Sequence, residues 1–149
     1  MNDLWMNAKD LPIRTGGEIT GGFDVGFDGK IPEAVKDELM QFVYWVEDNF
    51  AMPITLWVDF KYRKYLINQE GKRSGYRFWW AAFKNYPYFE NPDDIPVIEL
   101  AVNRPVEEIL AAFIEAVSHY FAWLANKKPG ADPAVTEDIL QRYLQETQK

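Results

Sequence analysis

The stretch Pro105 to Asn126 (PVEEILAAFIEAVSHYFAWLAN) is the longest uninterrupted helical pattern in the chain, and the rest of any fold must be built around it. Stepping about 100 degrees per residue from Glu115 places Phe113, Val117, Tyr120 and Leu124 near the opposite side. Val106, Leu110 and Phe121 fall beside them, which makes the face that a helix buries. Glu115 and His119, the only histidine, lie within about 40 degrees of each other on the other face. Their neighbours there are Ala111, Ala112, Ser118 and Ala122. A freely solvated face carries Lys, Glu and Gln more often, so small residues here predict that another element approaches or that a cleft opens above.

With 149 residues, the chain is long enough for one domain with a single core. Aromatic residues make up 16% of it, which argues against disorder. The net charge of −7 disfavours nucleic-acid binding through the overall field. Lys61, Arg63, Lys64, Lys72, Arg73 and Arg77 do cluster, but without the layout of aromatic platforms that single-strand binders use. The cluster reads as the solvent face of a hairpin. The absence of cysteine excludes disulfides and thiolate metal sites. No basic, then apolar, leader opens the sequence, and no segment approaches the ~18 apolar residues of a membrane span. The expected setting is the cytoplasm.

Along the chain, residues 1–30 are irregular and Gly-rich, with Gly16, Gly17, Gly21, Gly22, Gly26 and Gly29 separating short β-prone pieces. This spacing predicts turns and one irregular hairpin. A phosphate loop is not expected, because GxxxxGK[ST] is missing. Ile31 to Phe50 reads as a helix, with Pro32 in the first turn and a stripe of Val35, Leu39, Phe42, Val43, Val46 and Phe50. Ile54 to Ile67 alternates and predicts a long strand, with Ile54, Leu56, Val58, Phe60 and Tyr62 on one face. After the turn-forming NQEGK, Arg73 to Ala82 alternates again, so the two are expected to pair as an antiparallel hairpin. Lys84 to Asp94 is a loop with Tyr86, Tyr88 and Phe89, read as a satellite cluster or a lid. Ile95 to Asn103 is a nearly all-apolar third strand, expected at the sheet centre. Pro133 opens a last helix with the stripe Val135, Ile139, Leu140, Tyr143 and Leu144. The order predicts an α+β domain over 1–149: a small antiparallel or mixed sheet of about three strands, an N-terminal helix, a central helix and a C-terminal helix.

Two ligand-type side chains at i and i+4 on one helix face are the arrangement of a zinc helix. In HExxH both His bind the metal and the Glu between them polarises water. Glu115 to Leu124 (EAVSHYFAWL) resembles the active-site helix of zincin-like metallopeptidases of the minimal gluzincin type, which commonly runs HExxHYxQWL. His119, Tyr120, Trp123 and Leu124 match that pattern. Glu115 stands in place of the first zinc His, Ala116 in place of the general-base Glu and Ala122 in place of the Gln. The resemblance implies a first helix, a small sheet, the active-site helix and a further helix carrying a third ligand. Glu137 is the best candidate for that ligand, with Asp132 and Asp138 near enough to compete.

The departures imply a homologue without peptidase chemistry, since Ala116 offers no base. The resemblance implies that Glu115, His119 and Glu137 form a residual site for zinc, manganese or iron, with Tyr120 and Trp123 lining the cleft. Without that metal no cofactor is expected, and the simplest alternative is an i,i+4 pair of Glu115 with His119. Ser118 and His119 are adjacent on a helix and cannot act as nucleophile and base together. The expected function is a pseudo-peptidase whose cleft takes a peptide or protein partner, with Trp5, Trp57, Trp79, Tyr86 and Tyr88 as binding surface or core. The alternative is a small acidic interaction protein, of the immunity or inhibitor kind, with its carboxylates in one contiguous patch.

Overall fold

The computed structural model describes residues 21–68, 70–78, 96–126 and 133–147. Expectations placed on Trp5, Trp79, Asp132 and the loop Lys84 to Asp94 lie outside the described residues, as does the side chain of Trp123.

The chain is α+β, built from strands β1 (Phe23–Phe27), β2 (Leu56–Lys61), β3 (Leu66–Ile67), β4 (Arg73–Ser74), β5 (Tyr76–Phe78) and β6 (Val97–Ala101). The helices are α1 (Glu33–Asn49), α2 (Val106–Asn126) and α3 (Pro133–Thr147). Both long helices therefore start and stop close to where proline and hydrophobic period predict. A four-stranded sheet runs in the order β1-β2-β6-β5, and β3-β4 form a separate two-stranded ribbon.

The alternation in β2 is realised as expected, with Leu56, Val58 and Phe60 buried and Trp57 and Asp59 exposed. Its partners differ from the expectation. The strand stops at Lys61, where Val102 N–H bonds to the Lys61 carbonyl and Asn103 N–H bonds to that of Arg63. β2 pairs parallel with β1 on one side and with β6 on the other. β5 pairs antiparallel with β6, Arg77 opposite Glu99. Among the described residues, Leu66–Ile67 and Arg73–Ser74 make the predicted hairpin, closed by Gly71 at φ 79°. The physical reason lies in β6: Ile98 and Leu100 have no exposed surface, and such a strand gains most with a neighbour on both edges. Near the N-terminus, Phe23–Phe27 pairs parallel with β2, and residues 1–20, which carry the rest of the expected irregular hairpin, lie outside the described residues. The connection from β1 to β2 runs through α1, as a parallel pair requires.

The three helices supply the core on the inner sheet face. Leu39, Phe42 and Val46 of α1 meet Phe113, Val117 and Phe121 of α2 in one fully buried cluster. Phe113 is its hub, with its ring centroid 5.9 Å from Phe23, 5.0 Å from Phe42 and 5.4 Å from Phe60. α3 is tied in by Tyr143, edge-on to Phe42 at 5.0 Å, and by a Trp45 Nε1–H bond to Glu146 Oε1 of 2.9 Å. On the outer face Arg77 clamps the Glu99 carboxylate at 2.6 Å, and Lys61 stands 3.9 Å from its other oxygen. This ties the terminal strand β5 to β6.

Candidate functional site

α2 delivers Glu115 and His119 to the edge of the sheet where β5 ends the order. Two elements close on the small-residue side of α2. Ser118 Oγ stands 2.8 Å from Thr136 Oγ1 of α3 and donates to the Glu115 carbonyl at 2.7 Å. On the β5 side, a Cβ added to Gly75 would fall 3.3 Å from the Ala112 methyl and against the Arg104 guanidinium. Glycine at 75 lets the chain pass this close to the helix. Arg104 itself is held by Glu108 at 3.0 Å, one turn along α2.

That close passage sets Tyr76 against His119. The Tyr76 hydroxyl lies 3.0 Å from His119 Nε2, with the rings 5.8 Å apart. Burial pushes the Tyr76 phenol above its ordinary pKa, and a hydrogen bond from the phenol to Glu115, together with the carboxylate's charge, pushes it further. The phenol therefore keeps its one proton through the neutral range. Which of the two donates in the Tyr76–His119 bond is set by the imidazole tautomer, and the Glu115 carboxylate lies one turn from His119 on the same face of α2. Burial pushes the His119 pKa down, and Glu115 opposes that shift. The imidazole is thus neutral around pH 7, since even its ordinary value lies near 6.5. The bonded phenol and imidazole can orient and recognise a polar group. Ser118 is turned toward Thr136 and supplies no nucleophile to it.

The remaining expected site residues are placed differently. Tyr120 has no exposed surface, and its hydroxyl donates to the Ile54 carbonyl, so it belongs to the core and not to a cleft wall. Its position on the far side of α2 from Glu115 is the reason. Glu137 is exposed and accepts a 2.7 Å bond from Gln141 Nε2 one turn along α3. Asp138 pairs with Arg142 at 2.8 Å. The set Glu115, His119 and Glu137 is not assembled: among the described residues, no group of three or more His, Asp or Glu side chains is placed to hold a metal ion. These residues do not fit the metal centre that the resemblance implies. Ala116 has no exposed surface.

Tyr76 is the residue that sequence reasoning missed. It lies in the alternating stretch Arg73 to Ala82, and no spacing signal links it to a histidine 43 residues away. A concavity of about 320 Å³ opens at the C-terminal ends of β1 and β2 between Gly26, Phe27, Asp28, Asp59, Phe60 and Lys61. Asp28 caps the turn there. Hydrogen bonds from Lys30 N–H and then Tyr62 N–H hold its carboxyl below the usual range. Among the described residues no helix is long and apolar enough to cross a membrane. No protein-family model matches this chain, no curated protein matches it, and no solved structure matches it.

Proposed function

We propose that this chain is a zincin-like metallopeptidase homologue without peptidase chemistry, which binds a peptide or protein segment beside Tyr76, Glu115 and His119. The observation that carries this reading is the 3.0 Å contact of His119 with Tyr76, which joins the motif helix to the terminal strand of the sheet. Among the described residues β5 ends the sheet order, where an extended segment can add by main-chain pairing, and a neutral imidazole bonded to a phenol near a carboxylate suits polar recognition. The element order of helix, sheet, motif helix and further helix agrees with the layout that the resemblance implies. Ala116, buried and apolar, supports the absence of a base.

The test combines elemental mass spectrometry on protein purified without chelator, a protease assay on an unfolded substrate, and selection from a displayed peptide library. The expected result is no stoichiometric metal, no cleavage, and selected peptides whose affinity drops about tenfold in Tyr76→Phe, as loss of one hydrogen bond to a charged group predicts. One equivalent of metal lost in His119→Ala, or cleavage lost in Glu115→Gln, would replace this reading with an active hydrolase. Peptides indifferent to Tyr76→Phe and His119→Ala would refute the site.

One observation favours the alternative of an acidic interaction protein. On the sheet Asp59 and Glu99 are interleaved with Lys61 and Arg77, but α1 carries Glu33, Asp37 and Asp48 exposed on one side.

A further inference from the structure

Four large hydrophobic side chains stand exposed among the described residues: Tyr44 (58%), Trp57 (45%), Tyr65 (41%) and Ile67 (45%). Two of them, Tyr65 and Ile67, belong to the β3-β4 hairpin. Arg63, Lys64, Lys72 and Arg73 are exposed around them, and the Arg73 guanidinium lies 4.5 Å above the Tyr65 ring. From Lys61 to Arg77 the chain has six cationic side chains against one carboxylate, Glu70, although the whole chain carries −7. The hairpin is thus a cationic knob with two exposed apolar side chains along its first strand, on an anionic protein.

Helix α1 provides its counterpart. Glu33, Asp37, Tyr44 and Asp48 are all exposed and fall within about 60 degrees of arc, a single stripe running ~22 Å along the helix. Tyr44, the most exposed of the four apolar side chains, sits between the carboxylates. The last turn of α1 holds no basic residue, so Asp48 stands at the negative end of the helix dipole, where a carboxylate is disfavoured. Nothing within the helix rewards it there. The two surfaces lie at opposite edges of the sheet, since α1 packs against β1, β3 packs against β5, and β1 and β5 end the strand order.

We propose that the β3-β4 hairpin of one molecule docks on the α1 stripe of a second copy, head to tail. Lys64, Lys72 and Arg73 meet the carboxylates, while Tyr65 and Ile67 cover Tyr44. The charge complementarity selects this occupant: the chain presents both halves of the contact, each with an uncovered aromatic at its centre. Two unlike surfaces make a heterologous contact, so the product is a ring or a growing row of molecules and not a two-fold dimer. This proposal does not rest on the peptide-binding reading.

Sedimentation velocity on the full chain, at rising concentration and at low and high salt, tests it. The expected result is concentration-dependent association that weakens roughly tenfold or more at high salt. Two charge-reversal variants sharpen the test: Lys72→Glu with Arg73→Glu on the hairpin, and Asp37→Lys with Asp48→Lys on the helix. Each alone should sediment as a monomer with an unchanged circular dichroism spectrum, and an equimolar mixture should associate again, because the reversed hairpin then faces the reversed helix. A wild-type chain that stays monomeric throughout would overturn the proposal. So would association that survives either reversal, or a mixture that fails to associate. Binding of the monomer to vesicles of anionic phospholipid, lost with Lys72→Glu and Arg73→Glu, would also overturn it and assign the hairpin to a lipid surface.

Discussion

Placing a carboxyl at position 116, Ala116→Glu, would measure how closed that side of α2 is. Ala116 has no exposed surface and lies in the main core cluster. A carboxyl buried in such a place has a pKa near 8–9, against about 4.3 in the unfolded chain. Its folded pKa is raised, so the folded variant holds a proton that the unfolded chain has released. The variant therefore loses stability relative to wild type as pH rises from about 4.3 toward 8–9. At about 1.36 kcal/mol per unit, the ionisation penalty is roughly 1 kcal/mol at pH 5 and roughly 3.7 kcal/mol at pH 7. Overpacking adds about 1–3 kcal/mol at both. Urea unfolding of both proteins at pH 5 and pH 7 reads the difference, expected to widen by about 2.7 kcal/mol. Ala111→Glu, at an exposed position on the same helix, should stay within about 0.5 kcal/mol of wild type at both pH values. A penalty at 116 that is below about 1 kcal/mol at pH 7, or equal at the two pH values, would refute the reasoning. It would mean that water reaches this side of α2, as an open catalytic cleft requires.

His119 should leave a mark on acid stability. Its folded pKa lies below the unfolded value near 6.5, so its contribution is complete above that pH and is lost as pH falls toward the folded value, by at most ~1.4 kcal/mol per unit. His119→Gln should flatten this limb in urea melts at pH 7, 6 and 5, and an unchanged limb would assign it to other groups. Phe113→Ala removes the ring that joins β1, β2 and α1 and should cost about 3–5 kcal/mol by the same melts. Asp48→Lys replaces an anion with a cation at the C-terminal end of α1 and should raise stability by about 0.3–1 kcal/mol, seen as a higher Tm. A lower Tm would show that Asp48 is held by a partner inside the chain.

The helices were legible because their signals are local. Pro32, Pro105 and Pro133 mark the starts, and stripes such as Leu39, Phe42, Val43 and Val46 mark the buried face. The burial pattern of β2 was legible for the same reason, since alternation reports a face. Strand partners were not. Alternation in Ile54–Ile67 and Arg73–Ala82 does not say that a later strand, Val97–Ala101, will insert between them in space. The site was half legible: spacing placed Glu115 and His119 together, and small neighbours announced an approaching element. Which element approached, and that it brought Tyr76, depended on sheet order. Glu137 went astray because the motif suggests a ligand on the next helix but does not specify how that helix rotates.

The sheet order has a consequence for synthesis. β6 lies between β2 and β5 but is made after both, and α2 and α3 follow it. When residue 96 has just been added, β2 has β1 on one edge and nothing on the other. The apolar side chains Leu39, Phe42, Leu56, Val58 and Phe60 then lack the Phe113, Phe121 and Tyr143 surfaces that cover them in the finished molecule. The contacts of Phe42 with Tyr143 and of Trp45 with Glu146 each join positions 101 residues apart. A chain made only as far as residue 96 therefore exposes half of this core, and the pairings that cover it are the long-range ones that form slowly.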